Sequence, residues 1–212
     1  MRSRFLLAVL LACPSCSVIE QPSGLIPRWT TAWKDVATKD DRQRLSDWRT
    51  SFIAALDAAK KGGHEADIMR EGALLEPDAA LGPPAIPNGL FRCRVIKIGA
   101  KPESNSPAYN AFAPFLCQVR AEQGLQRFNK FGGAQRYVGL FFPGDAIHQV
   151  FLGTLVLGDE KQALQYGQDE LRDIAGYVER IGPERWRLIM PKPHFESQFD
   201  VMELVPNSAA AH

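Results

Sequence analysis

The stretch that decides the fold is YVERIGPERWRLIM, residues 177–190, which has the pattern of two strands joined by a tight turn. Pro183 presets one backbone dihedral and Gly182 adds conformational freedom beside it, so the turn chemistry is local. Alternation places every second residue from Trp186 onward on an apolar face. We therefore predict an antiparallel hairpin with Trp186 in the core, while Arg185 and Arg187 face the other way. If Arg187 is solvated there, Arg187→Ala should cost little.

The same alternation continues on both sides of this hairpin. The strand-like segments lie near residues 90–98, 115–122, 125–131, 136–142, 148–157, 173–181, 185–190 and 198–205. Turns rich in Gly, Pro and Asp separate them and no long helix intervenes, so neighbouring strands should pair antiparallel. Eight strands in about 115 residues favour a small barrel or a strongly curled sheet, because closure hides strand edges.

Residues 29–76 are predicted to be helical. Thr38 followed by Asp41 resembles a capping box, and four apolar side chains then share one helical face. They are Leu45, Trp48, Phe52 and Leu56. An aromatic stripe at this spacing is typical of core packing, so we expect this face to be buried. Gly62 and Gly63 should end the helix, with a short second helix after them.

Residues 77–88 contain four prolines and cannot form a regular element. We interpret them as a linker to a barrel-like domain over residues 89–206, followed by a flexible tail at 207–212. The predicted fold class is therefore α+β and mostly β. With 45% hydrophobic residues, the chain has the composition of an ordinary globular domain.

The first residues have the pattern of an export signal. Two arginines precede an apolar run that is too short to span a bilayer, which predicts a signal peptide over residues 1–12. The sequence LLAC at residues 10–13 resembles the bacterial lipobox, so Cys13 is the predicted lipidation site. The alternative is a plain secreted protein cleaved near Cys13. Either way we expect export to the periplasm, with a tether over residues 13–28.

Charge excludes one class of partner. The chain carries 25 Lys and Arg against 24 Asp and Glu, and loss of residues 1–12 removes two arginines, leaving a net charge of −1. The two signs are interleaved along the chain, without the concentrated basic excess that phosphate tracking requires. We expect no nucleic-acid partner.

Cys93 and Cys117 each lie in the apolar phase of a predicted strand, and that phase faces the core. On neighbouring strands their Cα atoms would reach the roughly 5.5 Å that a disulfide requires. Export favours the oxidised form, and the alternative is two buried free thiols. Because no second Cys or His stands at ligand spacing beside either cysteine, we predict no metal site.

Seven short motifs are spread over the chain after the leader. They are RCRVIK at 92–97, CQVRAE at 117–122, FLGT at 151–154, LGDE at 157–160, RDIAG at 172–176, VERIG at 178–182 and RWRL at 185–188. Together they resemble the bacterial exported family catalogued as domain of unknown function 4893. The resemblance implies an export leader and two cysteines, and it implies no reaction, ligand or catalytic residue.

The sequence lacks the common catalytic motifs, since it has neither G-x-S-x-G nor H-E-x-x-H. His194 alone among the histidines has a suggestive neighbour, Glu196. On an extended segment both side chains would share one face, where they could share a proton or bind a metal. The alternative is a solvated loop histidine. Together with Asp159 or Glu160, this pair would form the active site of a periplasmic hydrolase.

A second candidate set consists of charged residues among the strands: Asp159, Glu160, Arg172 and Arg180. Arg180 falls in the apolar phase of its strand, so it should need a carboxylate partner, and we expect Asp159 or Glu160 to supply it. The set forms either a structural ion-pair network or a site for an anionic ligand.

Because no converging catalytic groups are evident, the sequence favours a non-catalytic binding or scaffolding module of the cell envelope, lipid-anchored to the membrane. A barrel that holds one small apolar ligand would fit, as would a barrel whose helical arm docks an envelope protein. An exposed Trp186 would favour the scaffold. The hydrolase is the alternative, and we expect no cofactor.

Overall fold

A computed structural model describes residues 24–207 of the chain. The predicted signal peptide, Cys13, most of the tether and the end of the predicted tail lie outside these residues. Within them, no helix is both long enough and apolar enough to cross a bilayer.

The described chain begins with short helices. They are α1 (Trp33–Val36), α2 (Lys39–Ser46), α3 (Trp48–Lys61) and α4 (Glu65–Glu71), followed by a 3-10 turn at Gly72–Leu74. Thr38 caps α2 as predicted, its hydroxyl accepting a hydrogen bond from the Asp41 N–H at 3.1 Å. The single predicted helix is instead broken at Asp47, where ψ is 6° and the carboxylate bonds the Gln43 side chain.

Antiparallel strands make up the rest of the described chain. They are β1 (Gly89–Ala100), β2 (Tyr109–Ala111), β3 (Phe115–Glu122), β4 (Leu125–Lys130), β5 (Gln135–Pro143), β6 (Gln149–Leu157), β7 (Asp173–Gly182), β8 (Arg185–Pro191) and β9 (Ser197–Pro206). With β2 set aside, each strand pairs with the next one in chain order, and β1 also pairs with β9. The sheet therefore closes into an eight-stranded barrel, which confirms the predicted fold class, and β2 is added beside β1.

Inward-facing side chains fill the barrel interior. Trp186 is buried as predicted, with its ring 6.3 Å from that of Phe91 in an edge-to-face arrangement. Gly139 and Gly153 face each other across β5 and β6, and a Cβ atom on either would lie within 2.6 Å of the Phe151 ring. Because these glycines make room for that ring, the interior is packed, and open space lies at one end of the barrel instead.

The helices cover part of the outside of the barrel. Phe52 of α3 is fully buried and stacks on Phe199 of β9, with ring centroids 4.5 Å apart. The guanidinium carbon of Arg187 lies 5.5 Å from the centroid of the Phe52 ring, and Arg187 is 0% exposed. Arg187 is therefore not solvated, and the condition under which Arg187→Ala would cost little is not met. Its side chain faces outward, but the helical segment covers that face.

The proline-rich segment closes one end of the barrel. Ile86 is buried in the interior core, and the Arg180 guanidinium donates hydrogen bonds to the carbonyl oxygens of Gly82 and Pro83. Arg180 lies in the inward phase as predicted, but the prediction that Asp159 or Glu160 is its partner is wrong. Backbone carbonyls supply the acceptors, because the segment runs directly across the strand end.

Candidate functional site

The other end of the barrel is open and holds a cavity of about 490 Å³, which we call the mouth cavity. It is lined by Val95, Lys97, Phe112, Ala113, Phe115, Lys130, Phe131, Gly132, Gly133, Ala134, Gln135, Tyr137 and Glu196. Its volume lies within the range of about 300–1,000 Å³ that is typical of small-molecule sites. It is therefore large enough for a small ligand.

Lys97 reaches this cavity from β1. Alternation carries the inward phase along the strand to Lys97, whose side chain is only 8% exposed. Its ammonium donates hydrogen bonds to Glu196 Oε2 at 2.5 Å and to Gln135 Oε1 at 2.9 Å. Two of its three N–H groups are thereby bonded to side chains that line the cavity.

Lys130 approaches the same cavity from the end of β4. Its Nζ donates hydrogen bonds to the carbonyl oxygens of Gly132 at 3.1 Å and Gln135 at 2.6 Å, and it lies 4.5 Å from the centroid of the Phe115 ring. Burial lowers the pKa of Lys130, and the neighbouring Arg136 and Lys97 cations lower it further. Among residues 24–207, no carboxylate forms an ion pair with Lys130.

A buried polar cluster lies beside Lys97, on the neighbouring strand β9. Asp200 lies opposite Lys97 in the pairing of β1 with β9, and it accepts hydrogen bonds from the Tyr137 hydroxyl at 3.1 Å and from the Ser197 hydroxyl. Burial raises the pKa of Asp200, and the opposing effects of Lys97 and these hydrogen bonds do not cancel it. Burial, with Asp200 beside it, also raises the pKa of Tyr137.

The rim of the mouth cavity is apolar. Phe112 is 41% exposed and Phe131 is 46% exposed, and both line the cavity. Aromatic rings that stay this accessible beside a concave site are typical of ligand contacts. The mouth thus combines two ammonium groups with open aromatic surface.

The structure does not bring the predicted hydrolase residues together. Glu196 binds Lys97 at the mouth, whereas His194 lines a separate surface depression, where burial lowers its pKa. Asp159 is exposed, and in the described part of the chain it makes neither a hydrogen bond nor an ion pair. Residues 24–207 also contain no group of three or more His, Cys, Asp or Glu side chains placed to hold a metal ion.

Glu160 and Arg172, from the second candidate set, do form an ion pair, with Nη1 2.6 Å from Oε1. Arg172 also lies 3.2 Å from Asp169. These contacts are partly exposed and join the two ends of one loop, which fits the structural alternative.

The predicted disulfide is present. Cys93 and Cys117 are joined with their Cα atoms 6.1 Å apart, and both residues are fully buried in the interior core. The bond links β1 to β3, two of the strands that carry cavity residues.

A second buried polar cluster lies on the outer face of β7 and β8. Glu179 accepts hydrogen bonds from Arg187 Nε at 2.6 Å and from His148 Nε2 at 3.0 Å, and the other His148 nitrogen faces Asp145 at 2.9 Å. Burial works to lower the pKa of His148, but the two carboxylates outweigh it and raise the pKa. Arg187 also donates to carbonyls of residues 73–77, so the cluster fastens the helical segment to the barrel.

Sequence reasoning missed the lysines of the mouth, although a signal for them exists. Each of the three charged residues lies on the inward face of its strand. Lys97 follows Cys93 in this phase, Lys130 follows Phe128, and Asp200 precedes Met202. A charged residue in the core phase at a strand end marks either a closed end or an open mouth.

Comparison with known proteins gives one match. A family model described as "Domain of unknown function (DUF4893)" matches residues 33–204, from α1 into β9. It confirms the resemblance seen in the sequence. No curated protein and no solved structure matches the chain.

Proposed function

The chain belongs to the DUF4893 family, and from its structure we propose that it is a non-catalytic binding module of the cell envelope that takes a small amphipathic anion into the mouth cavity. The proposal rests on one observation above all. Lys130 is a half-buried cation at an apolar cavity, and no carboxylate within residues 24–207 compensates it.

A partly desolvated ammonium without a counter-ion is electrostatically unfavourable, and an anionic ligand would relieve this. Two backbone carbonyls and one aromatic face hold Lys130 in place without neutralising its charge. A carboxylate or sulfonate oxygen would form a charge-assisted hydrogen bond with it. The lysine is therefore suited to the head of a ligand.

The apolar walls select what is attached to that head. Phe112, Phe115 and Phe131 present aromatic rings to the cavity. Apolar surface of this kind favours a short hydrocarbon chain or an aromatic ring over a fully hydrated ion. The expected ligand class is therefore a small molecule with one acidic group and one apolar part.

Two further observations favour this function over the others. The scaffold interpretation would gain from an exposed Trp186, but Trp186 is buried. The hydrolase interpretation has no supporting contact, because His194 and Glu196 lie at different sites.

Envelope anchoring through Cys13 is part of the proposal and rests on the LLAC motif at residues 10–13. The buried disulfide supports an oxidising compartment. We expect the wild-type protein to partition into the detergent phase with an acylated N-terminus, and Cys13→Ala to release it. A soluble wild type with an unmodified N-terminus would rule the anchor out.

Binding can be tested with 1-anilinonaphthalene-8-sulfonate, a fluorescent anion that carries apolar rings. Lys130→Met should weaken its binding by roughly 10- to 100-fold, the effect of losing a hydrogen bond to a charged group. Decanoate should displace the dye, while decanol at the same concentration should displace much less. Lys161→Met is the matched control, because Lys161 is exposed and lies outside the cavity. Equal losses in both lysine variants, or no binding by the wild type, would refute the proposed function.

A further inference from the structure

The loop between β8 and β9 has an unusual backbone. In the described part of the chain three non-glycine residues have a left-handed φ, and two of them lie in this loop: Lys192 at 47° and Glu196 at 65°. Side chains beyond glycine rarely adopt this region, so the surroundings must hold the loop in place.

Three contacts hold Glu196 over the mouth. Its carbonyl oxygen accepts hydrogen bonds from the Lys101 N–H at 3.0 Å and the Ser104 hydroxyl at 2.8 Å, and its carboxylate binds Lys97. Phe195, the preceding residue, packs against the interior core. The backbone is therefore fastened independently of the carboxylate, so the side chain can leave Lys97 while the loop stays in place.

The two partners of this ion pair differ in exposure. The Glu196 side chain is 44% exposed, whereas that of Lys97 is 8% exposed. A half-exposed carboxylate is rehydrated readily when its partner is taken away, but the enclosed ammonium depends on the protein for compensation. Lys97 retains Gln135 as an acceptor and Asp200 on the opposite strand. Exchange at Lys97 is thus possible without leaving the lysine bare.

From this geometry, and resting on the proposed function, we infer that Glu196 is an internal competitor for the ligand. The ligand's carboxylate bridges Lys130 and Lys97, which both line the cavity, and on binding it displaces the Glu196 carboxylate from Lys97. Because Glu196 is itself a carboxylate, it indicates that the ligand's head group is a carboxylate. By competing for Lys97, Glu196 lowers the affinity of the site for this ligand.

The test compares decanoate binding, by displacement of the fluorescent dye, between the full wild-type chain and Glu196→Gln. Removing the competing charge should tighten decanoate binding by about 2- to 5-fold, the strength expected of a half-exposed ion pair. Glu103→Gln is the matched control, because it removes the same charge from an exposed residue outside the cavity, and it should leave the affinity unchanged.

A double-mutant cycle separates direct competition from a general effect of charge. In a Lys97→Met background, Glu196→Gln should no longer tighten binding, because the competition passes through that ammonium. Glu196→Ala should act in the same direction as Glu196→Gln, with thermal unfolding used to confirm that both variants are folded.

Several outcomes would overturn the inference. They are an equal gain in Glu103→Gln, a gain that persists without Lys97, and unchanged or weaker binding in Glu196→Gln. If decanoate binds the wild type in a Lys130-dependent way and Glu196→Gln shows no gain, the internal competitor alone is wrong. If decanoate binds none of these proteins, the proposed function fails, and the competitor fails with it.

Discussion

Replacing Arg187 by methionine tests a fully buried charge at the contact between the helical segment and the barrel. The Arg187 guanidinium is 0% exposed and binds Glu179, also 0% exposed, with Nε 2.6 Å from Oε2. Its remaining N–H groups donate to four carbonyl oxygens between residues 73 and 77, at 2.7–3.1 Å. Arg187→Met removes the charge and these donors while keeping most of the side-chain volume.

The expected loss follows from the charge left behind. Removing one partner of a buried ion pair typically costs about 3–5 kcal/mol, because the other partner stays buried without compensation. In a domain of this size each kcal/mol lowers Tm by about 2–4 °C, so Arg187→Met should lower Tm by roughly 6–20 °C. In Arg187→Met the Glu179 carboxylate keeps only His148 as a partner, so adding Glu179→Gln should make the double variant more stable than Arg187→Met alone.

Thermal unfolding followed by tryptophan fluorescence would measure this. Arg49→Met is the matched control, since Arg49 also joins the helical segment to the chain after α4, through Asp78 at 2.6 Å, but both side chains are more than half exposed. We expect its Tm to match that of the wild type. If Arg187→Met unfolds no earlier than Arg49→Met, or if Glu179→Gln brings no recovery, buried charge is not what makes Arg187 important.

Three further predictions concern the barrel. Cys93→Ser should lower the free energy of unfolding by roughly 3 kcal/mol, as expected when a bond across this sequence separation no longer restricts the unfolded chain. Equal denaturation midpoints with and without reductant would contradict this. Trp186→Ala should cost about 3–5 kcal/mol in urea unfolding, since it empties a core position, and a midpoint within error of the wild type would contradict the packing. Burial raises the pKa of Asp173 to about 6, so the folded state holds that proton more tightly than the unfolded state does. Protonated Asp173 therefore contributes fully to stability below about pH 4, and this contribution is lost as the pH rises through 6. Asp173→Asn should make Tm depend less on pH across that window. A variant with the wild-type pH profile would show that other groups control it.

The strands could be predicted from sequence because their signals are local. Alternation and turn residues gave all eight barrel strands, and the phase of Trp186 placed it correctly in the core. The same local reasoning placed Cys93 and Cys117 inward on neighbouring strands. Each of these inferences needs only a few consecutive residues and the two-residue period of a strand.

What covers the outer face of a strand is not local information. Arg187 faces outward as the pattern predicts, yet it is buried. The segment that covers it lies 110–114 residues earlier in the chain and supplies the carbonyl acceptors. The partner of Arg180 could not be predicted for the same reason, since its acceptors belong to the proline-rich segment. A two-residue period tells which face a side chain takes, but not whether another segment covers that face.

The candidate site follows from the way the chain treats the two ends of its barrel. Arg180 and Lys130 are both cations in the inward phase near strand ends, and both donate to backbone carbonyls. At the closed end the acceptors come from a segment that also fills the opening with Ile86. At the open end the acceptors for Lys130 come from the adjoining turn, and about 490 Å³ stays open beside the charge. At the closed end the chain thus supplies both a segment that fills the opening and the hydrogen-bond acceptors. At the open end it supplies only the acceptors. An anion with an apolar part is what would complete the open end in the way that the proline-rich segment completes the closed one.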